Sequence, residues 1–307
     1  MKIPLTHRSM VFVAVMLAAV AGPAAAREAR AAAADGSAWQ APVQSPPDPL
    51  RDGAASLSDV TNAEDDDTAL VPAEPDFRVL NLPSTLRLPL HGSNFQLTHR
   101  FNGNLRRGSF GTQAGNLFGL DQGAVVGFEY RFGVMRHLQA AVYRTATDKA
   151  IQFFGKYDAV RQGGPLPVSL SALVSVEGVN NFRDHYSPAV GLVVSRTAGD
   201  RLAVYATPVW VHNTAGPLDA TRDTVFVGVG ARLRISESVY VVGEVVPRTS
   251  GYRPDKAAYG FGFEKLAGGH LFQINFNNGQ GTTFAQLARG GFPDTLYLGF
   301  NLARKFF

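Results

Sequence analysis

The stretch Val126–Phe132, VGFEYRF, decides the fold: Val126, Phe128, Tyr130 and Phe132 share one phase of a two-residue repeat, and Glu129 and Arg131 share the other. Successive side chains of an extended chain point to opposite faces, so this segment reads as a strand with one apolar and one charged face. The texture recurs in both directions. Phe95, Leu97 and Phe101 alternate with Gln96, Thr98 and Arg100, and Ile151, Phe153 and Tyr157 with Gln152, Lys156 and Asp158. Val168, Leu170, Val174 and Val176 alternate with Ser169, Ser171, Ser175 and Glu177. Val225, Val227, Val229 and Leu233 oppose Gly228, Gly230, Arg232 and Arg234, and Phe272, Ile274 and Phe276 oppose Gln273 and Asn275.

Twelve candidate strands result: 93–101, 122–132, 137–146, 149–158, 167–178, 187–197, 201–212, 224–235, 238–247, 256–265, 269–277 and 295–306. Several exceed the roughly 5–6 residues usual in soluble sheets and approach the roughly 9–11 that cross a bilayer at a tilt. Their connections sort by length. Gly133–Arg136, Ala198–Asp200, Ser236–Glu237 and Leu266–Gly268 are tight, whereas Asn102–Asp121, Val179–Tyr186, Asn213–Asp223, Arg248–Asp255 and Asn278–Asp294 are long. Short turns on one rim and long loops on the other are the mark of a transmembrane barrel. Two links break the pattern: Thr147–Asp148 is short where a long one is due, and Ala159–Leu166 is long where a short one is due. The expected fold is all-β, a single antiparallel transmembrane β-barrel of about 12 strands over residues 77–307.

Two segments precede it. Residues 1–26 combine a basic start (Lys2, Arg8), the apolar run Met10–Ala21 and small residues at Ala24–Ala26, the make-up of a cleavable signal peptide. Residues 27–76 read as a disordered linker rich in Ala, Pro and acids, dispensable for barrel folding from 31 to 76 because nothing in it promises burial. From Glu28 to Phe77 there are 11 acidic and 2 basic residues, a net charge of −9; from Arg78 to the end, 24 basic and 14 acidic, a net +10. The basic residues are scattered over strands and turns without an aromatic-interleaved cluster, which argues against a nucleic-acid partner. The chain has no cysteine, which excludes disulfides and thiolate metal sites. The expected location is the outer membrane of a Gram-negative cell, reached through the periplasm. Its lipid is one partner, and the barrel-assembly machinery, engaging the strand that ends on Phe306 and Phe307, is another. Arg304 departs from that strand's phase and is expected to snorkel at a rim.

Asn94–Phe101 (NFQLTHRF), Asn116–Phe132 (NLFGLDQGAVVGFEYRF), Gly269–Asn277 (GHLFQINFN) and Leu298–Phe306 (LGFNLARKF) together resemble landmarks of a bacterial β-barrel family, domain of unknown function 5777. The resemblance covers about Asp76 to Phe307. It implies an outer-membrane barrel and brings no catalytic residues with it.

No cofactor or metal motif stands out. His91, His99, His137, His185, His212 and His270 lie on separate segments without ligand spacing, and the acidic run Glu64–Asp67 lacks the spacing of a calcium loop. The 32 glycines form no phosphate loop; those inside strands, such as Gly228 and Gly260, are expected to relieve crowding. The functional candidates are the charges of the polar phase, all expected to face the lumen: Arg100, Glu129, Arg131, Lys156, Asp158, Glu177, Arg232, Arg234, Glu244 and Glu264, with Lys305 beside them. Cross-strand ion pairs plugging the barrel and a charged channel selecting a solute fit them equally. The expected role is a small-solute channel or a surface scaffold. Two alternatives are a lipid-modifying enzyme using a luminal serine such as Ser169, Ser171 or Ser175 with a histidine, and a soluble periplasmic lipid-binding barrel with its faces reversed. The two faces should differ in tolerance: a charge at Val229 or Ile274 is expected to damage the barrel, and Gln273→Arg to be mild.

Overall fold

The computed structural model describes residues 71–214, 223–253 and 255–307; the expected signal peptide and residues 27–70 of the expected linker lie outside the described residues. Among the described residues thirteen strands occur in chain order: β1 Ser93–Asn104, β2 Ala124–Met135, β3 Leu138–Thr145, β4 Ile151–Val160, β5 Ser169–Gly178, β6 Asp184–Ala198, β7 Leu202–Val211, β8 Thr224–Ser236, β9 Val239–Val246, β10 Arg248–Gly251, β11 Ala258–Ala267, β12 His270–Asn277 and β13 Tyr297–Phe306. Each of the 12 expected strands is among them. The addition is β10, four residues in a long connection that pair only with the start of β8.

Leaving β10 aside, every strand pairs antiparallel with two neighbours, and β1 pairs with both β2 and β13, so a 12-stranded sheet closes on itself. Closure follows from the solvent. Lipid offers no partner to an unpaired peptide group, so a sheet surviving there has no edge. Strands begin and end at two rims. Turns such as 136–137, 199–201 and 237–238 lie at one, the turn end, with Ser93 and Phe306. The long connections crowd the other, the loop end. Both departures from the sorted pattern are real: β3 and β4 are joined by five residues, and β4 and β5 by eight.

The alternation sets the faces as expected. Phe128, Tyr130, Phe132, Phe153, Val174, Phe263 and Phe272 are exposed on the outer wall, whereas Glu129, Arg131, Gln152 and Lys156 are buried within. The contrast between neighbours is sharp at Ile274, 58% exposed, and Gln273, 2% exposed. An apolar exterior around a polar interior excludes the reversed, soluble barrel. Arg304 sits exposed at the turn end, its guanidinium 5.1 Å from the Phe306 ring and hydrogen-bonded to His270 at 3.1 Å. Among the described residues no helix is long and apolar enough to cross a membrane.

Residues 71–76, assigned above to the linker, lie inside the barrel: Ala73, Glu74 and Asp76 are buried. Ordering them is offset by contacts that only the closed wall supplies, so a deletion reaching to 76 removes luminal structure and residues 71–76 are not spare.

Ile274→Arg places a charge on the lipid face at a cost of about 2–4 kcal/mol at mid-membrane. We expect it to lower the fraction of protein whose electrophoretic mobility shifts on boiling. Thr249→Arg, on exposed β10, leaves that fraction unchanged.

Candidate functional site: a hairpin inside the barrel

Sixteen residues before β1, 77–92, belong to no barrel strand, yet Phe77, Val79, Leu80, Leu82, Leu86 and Leu88 are all buried. The chain enters at the turn end, where Tyr240 donates to the Pro72 carbonyl at 2.9 Å. It reverses at Leu80–Asn81 and returns to the same end, where His91 N–H bonds to Gly133. The reversal is a tight hairpin: Arg78 bridges Pro83, Val79 N–H donates to Leu82 O at 2.8 Å, and Ser84 N–H to Phe77 O at 2.9 Å. Space comes partly from wall glycines. A Cβ on Gly228 would stand 2.6 Å from Leu82 Cδ2, and one on Gly260 would stand 2.9 Å from Leu80 Cδ2.

The wall grips the hairpin chiefly by its backbone. The Glu244 carboxylate accepts the N–H groups of Leu80 (3.1 Å), Asn81 (3.0 Å) and Leu82 (3.0 Å) together with Asn81 Nδ2 (2.8 Å). Converging N–H groups at a turn form an anion-binding concavity, here filled by a side chain of β9. Carbonyls are met by cations and amides: Arg232 donates to Arg78 O (2.6 Å), Gln273 to Val79 O (2.7 Å), Asn301 to Leu80 O (3.1 Å) and Lys156 to Ser84 O (2.7 Å) and Leu86 O (3.0 Å).

The same charges pair with one another. Glu129 takes Arg131 at 2.7 Å on one oxygen and Arg78 of the hairpin on the other. Arg232 forms a two-point pair with Glu264 at 2.7 and 2.9 Å. Lys156 lies 3.0 Å from Asp158, which also accepts from Ser171 and Gln139. Arg100 donates to Asn301 and to hairpin Asn81. Charges removed from water are tolerable only when paired and hydrogen-bonded in this way.

Of the ten expected luminal charges, nine are buried inside: Arg100, Glu129, Arg131, Lys156, Asp158, Glu177, Arg232, Glu244 and Glu264. Arg234 is the exception. It lies at the turn-end rim and donates to Glu237 O, because β8 has by then passed the last layer of the interior. Glu177 stands apart near the loop end, away from the hairpin's contacts. Lys305 is at the turn end with Nζ 5.5 Å from the Phe77 ring. Ser171 and Ser175 face the lumen beside Asp158 and Gln152. His99, in contrast, is on the outer wall, stacked on Phe300 at 4.7 Å. Gln273 is enclosed by Val79, Glu264, Asn275 and Asn301, so an arginine there meets the hairpin and not open water; the expectation that Gln273→Arg is mild does not hold.

Two features escaped the alternation. The inner face is not polar all round: Val193, Val209, Val211 and Phe226 form an apolar sector on β6–β8. Covering it is helix α1, Phe284–Arg289, from the long connection before β13, with five of its six residues buried. Thr283 caps it by accepting from Gln286 N–H, a T-x-x-Q signature that stands in the sequence, and the Gln286 side chain reaches one residue further back to accept from Thr282 N–H at 3.1 Å. Phe284 packs against Phe154 and Phe226. Hairpin and loop meet at Thr282: its hydroxyl accepts from Tyr143 at 2.8 Å and its carbonyl from Arg78 at 3.5 Å.

A closed barrel with an apolar outer wall and a charged interior is a membrane β-barrel. The chain belongs to the family described as membrane bound beta barrel domain, whose model matches residues 76–306. No curated protein sequence matches it. Among solved structures it is similar to the NanC porin (8% identity, TM-score 0.46, covering 69% of this chain and 99% of that one). It is also similar to an outer membrane channel from Pseudomonas putida F1 (10% identity, TM-score 0.42, covering 71% and 97%). Neither likeness is close enough to transfer a property to this chain.

Two outcomes follow from the hairpin's contacts. Glu244→Gln removes the charge that four donors share; hydrogen bonds to a charged group contribute about 1.5–3 kcal/mol each, so a loss of about 2 kcal/mol raises the released population roughly 30-fold. Tryptic cleavage after Arg78 in the reconstituted protein, shielded while the hairpin is seated, should accelerate accordingly. Asp76, inside the lumen, has its carboxyl pushed up to about 6 by burial, against the attraction of Arg232 and Lys305. A raised carboxyl pKa means the seated segment holds its proton more tightly than the free one. The contribution of Asp76 to seating is therefore full below about pH 4 and is lost as pH rises through about 6. Cleavage after Arg78 should be slower at pH 5 than at pH 7.5, relative to an unfolded control, and Asp76→Asn combined with Glu74→Gln, whose carboxyl burial also pushes up, should flatten the difference.

Proposed function

We propose that the protein is an outer-membrane channel for small solutes whose lumen is held shut by its own re-entrant hairpin. The observation that carries this reading is the manner of the grip. Glu244, Arg232, Lys156, Gln273 and Asn301 reach from five strands to backbone groups of the hairpin. Peptide N–H and C=O groups are chemically generic, and water or a polar solute can replace each of them at the same wall side chain. A barrel filled for good is more stably filled with apolar side chains than with desolvated charges. Both ends of the hairpin emerge at the turn end, so withdrawal requires no threading of the chain through the wall.

A permanently closed surface scaffold is the second reading, favoured by α1, a second occupant that fills the lumen from the loop end beside hairpin Leu82. Planar-bilayer conductance separates the two. The full chain should be closed with rare openings. Deletion of residues 71–84, alone or with Phe284–Arg289 replaced by a Gly-Ser linker, should give steady conductance steps. Closed bilayers from both variants, with heat-modifiable barrels intact, would favour the scaffold and end the channel reading.

A further inference from the structure

The connection between β1 and β2, residues 105–123, equals that between β12 and β13 in length, and neither the hairpin nor the lumen accounts for it. It does not stand off the rim. Gly103 lies on the outward phase of β1, and Gly119 (φ +91°) is pressed on it: a Cβ on Gly103 would stand 2.2 Å from Gly119 Cα, and one on Gly119 would stand 2.7 Å from Gly103 Cα. Backbones meet this closely only where both residues lack a side chain. Asn102 ties the loop down again, its N–H to Gly123 O at 3.0 Å and its Nδ2 to Gln122 O at 3.2 Å. The loop therefore lies against the outside of the barrel at the loop end.

Held there, it exposes Phe110 (78%), Leu117, Phe118 and Leu120, with the Phe110 and Phe118 rings 5.9 Å apart. Gly103, on which Gly119 rests, is two residues along β1 from Phe101, whose ring lies 6.2 Å from that of Phe300. On the other edge Arg106 and Arg107 are both exposed, against one acid in the loop, Asp121. Arg106 is aimed along the rim by a 3.2 Å hydrogen bond to Tyr259 of β11. Large apolar residues beside paired arginines are the composition of an element lying in a membrane interface, with guanidinium groups at headgroup depth.

We infer that this loop is a lipid-binding foot: its apolar residues enter the leaflet at the loop end, and Arg106 and Arg107 bind the phosphates of anionic lipid headgroups. Guanidinium presents a planar fork matched to phosphate, which favours an anionic lipid over a zwitterionic one.

The chain contains no cysteine, so a single introduced thiol carries a unique label. Phe118→Cys bearing an environment-sensitive fluorophore, in the full chain reconstituted into phosphatidylcholine vesicles, is compared with Phe128→Cys in the wall and Thr249→Cys at the loop-end rim. Lipid carrying a nitroxide high on its acyl chain should quench the labels at 118 and 128 alike and spare the one at 249. Quenching at 118 no greater than at 249 overturns the foot, and Leu120→Cys repeats the measurement at a second position. With headgroup-nitroxide lipids at equal mole fraction, phosphatidylglycerol should quench the label at 118 at least about twofold more than phosphatidylcholine. That preference should vanish with Arg106→Gln and Arg107→Gln combined. Equal quenching by the two lipids in the unaltered loop overturns the headgroup assignment, and heat-modifiable mobility verifies that each variant has formed its barrel.

Discussion

Everything in this molecule depends on the cost of an unpaired peptide group in hydrocarbon. Several kcal/mol per lost partner forbids an open sheet edge, so β1 and β13 must find each other across two hundred residues of chain. Once they do, the pleat leaves no freedom in the faces. Residues beside lipid must be apolar, and their neighbours are turned inward whether or not the interior has water for them.

The interior is where that arrangement becomes demanding. Twelve strands enclose more room than wall side chains fill, and the inward phase carries Arg100, Arg131, Lys156 and Arg232 with Glu129, Asp158, Glu244 and Glu264. The chain solves this with its own peptide groups. The hairpin brings a row of N–H groups to Glu244 and a row of carbonyls to Arg232, Gln273, Asn301 and Lys156, so that these side chains find hydrogen-bond partners within the chain. Such an interior owes its specificity to complementarity more than to net stabilisation, since desolvating ions costs nearly as much as pairing them returns.

Hairpin and α1 divide the lumen by chemistry. The hairpin takes the ions and amides of the wall, which reach it from β1, β2, β4, β8, β9, β12 and β13. Helix α1 covers the apolar sector of β6–β8 through Phe284 and Leu287. Tyr143 joins the two, since its hydroxyl contacts Thr98 of the wall and Thr282 of the loop, while its ring lies 5.4 Å from the Arg78 guanidinium. Movement of either occupant changes the surroundings of the other at this point.

The sequence by itself determined the strands, their faces, the sorting of turns and loops, and the inward orientation of nine charges. Each of these follows from local alternation and from the uniform apolar medium outside, which constrains every strand in the same way. It did not determine what the charges face. Phe77–Leu88 carried a warning in six buried apolar residues that belong to no strand, and Thr283–Gln286 carried a capping pattern, but neither says where a segment goes. Arg234 kept the polar phase and still left the interior, because depth along a tilted strand is not encoded in alternation. Only the closed tertiary structure brought Glu244 to the amides of Leu80–Leu82, some 160 residues away, because that contact exists only once the wall has closed around the hairpin.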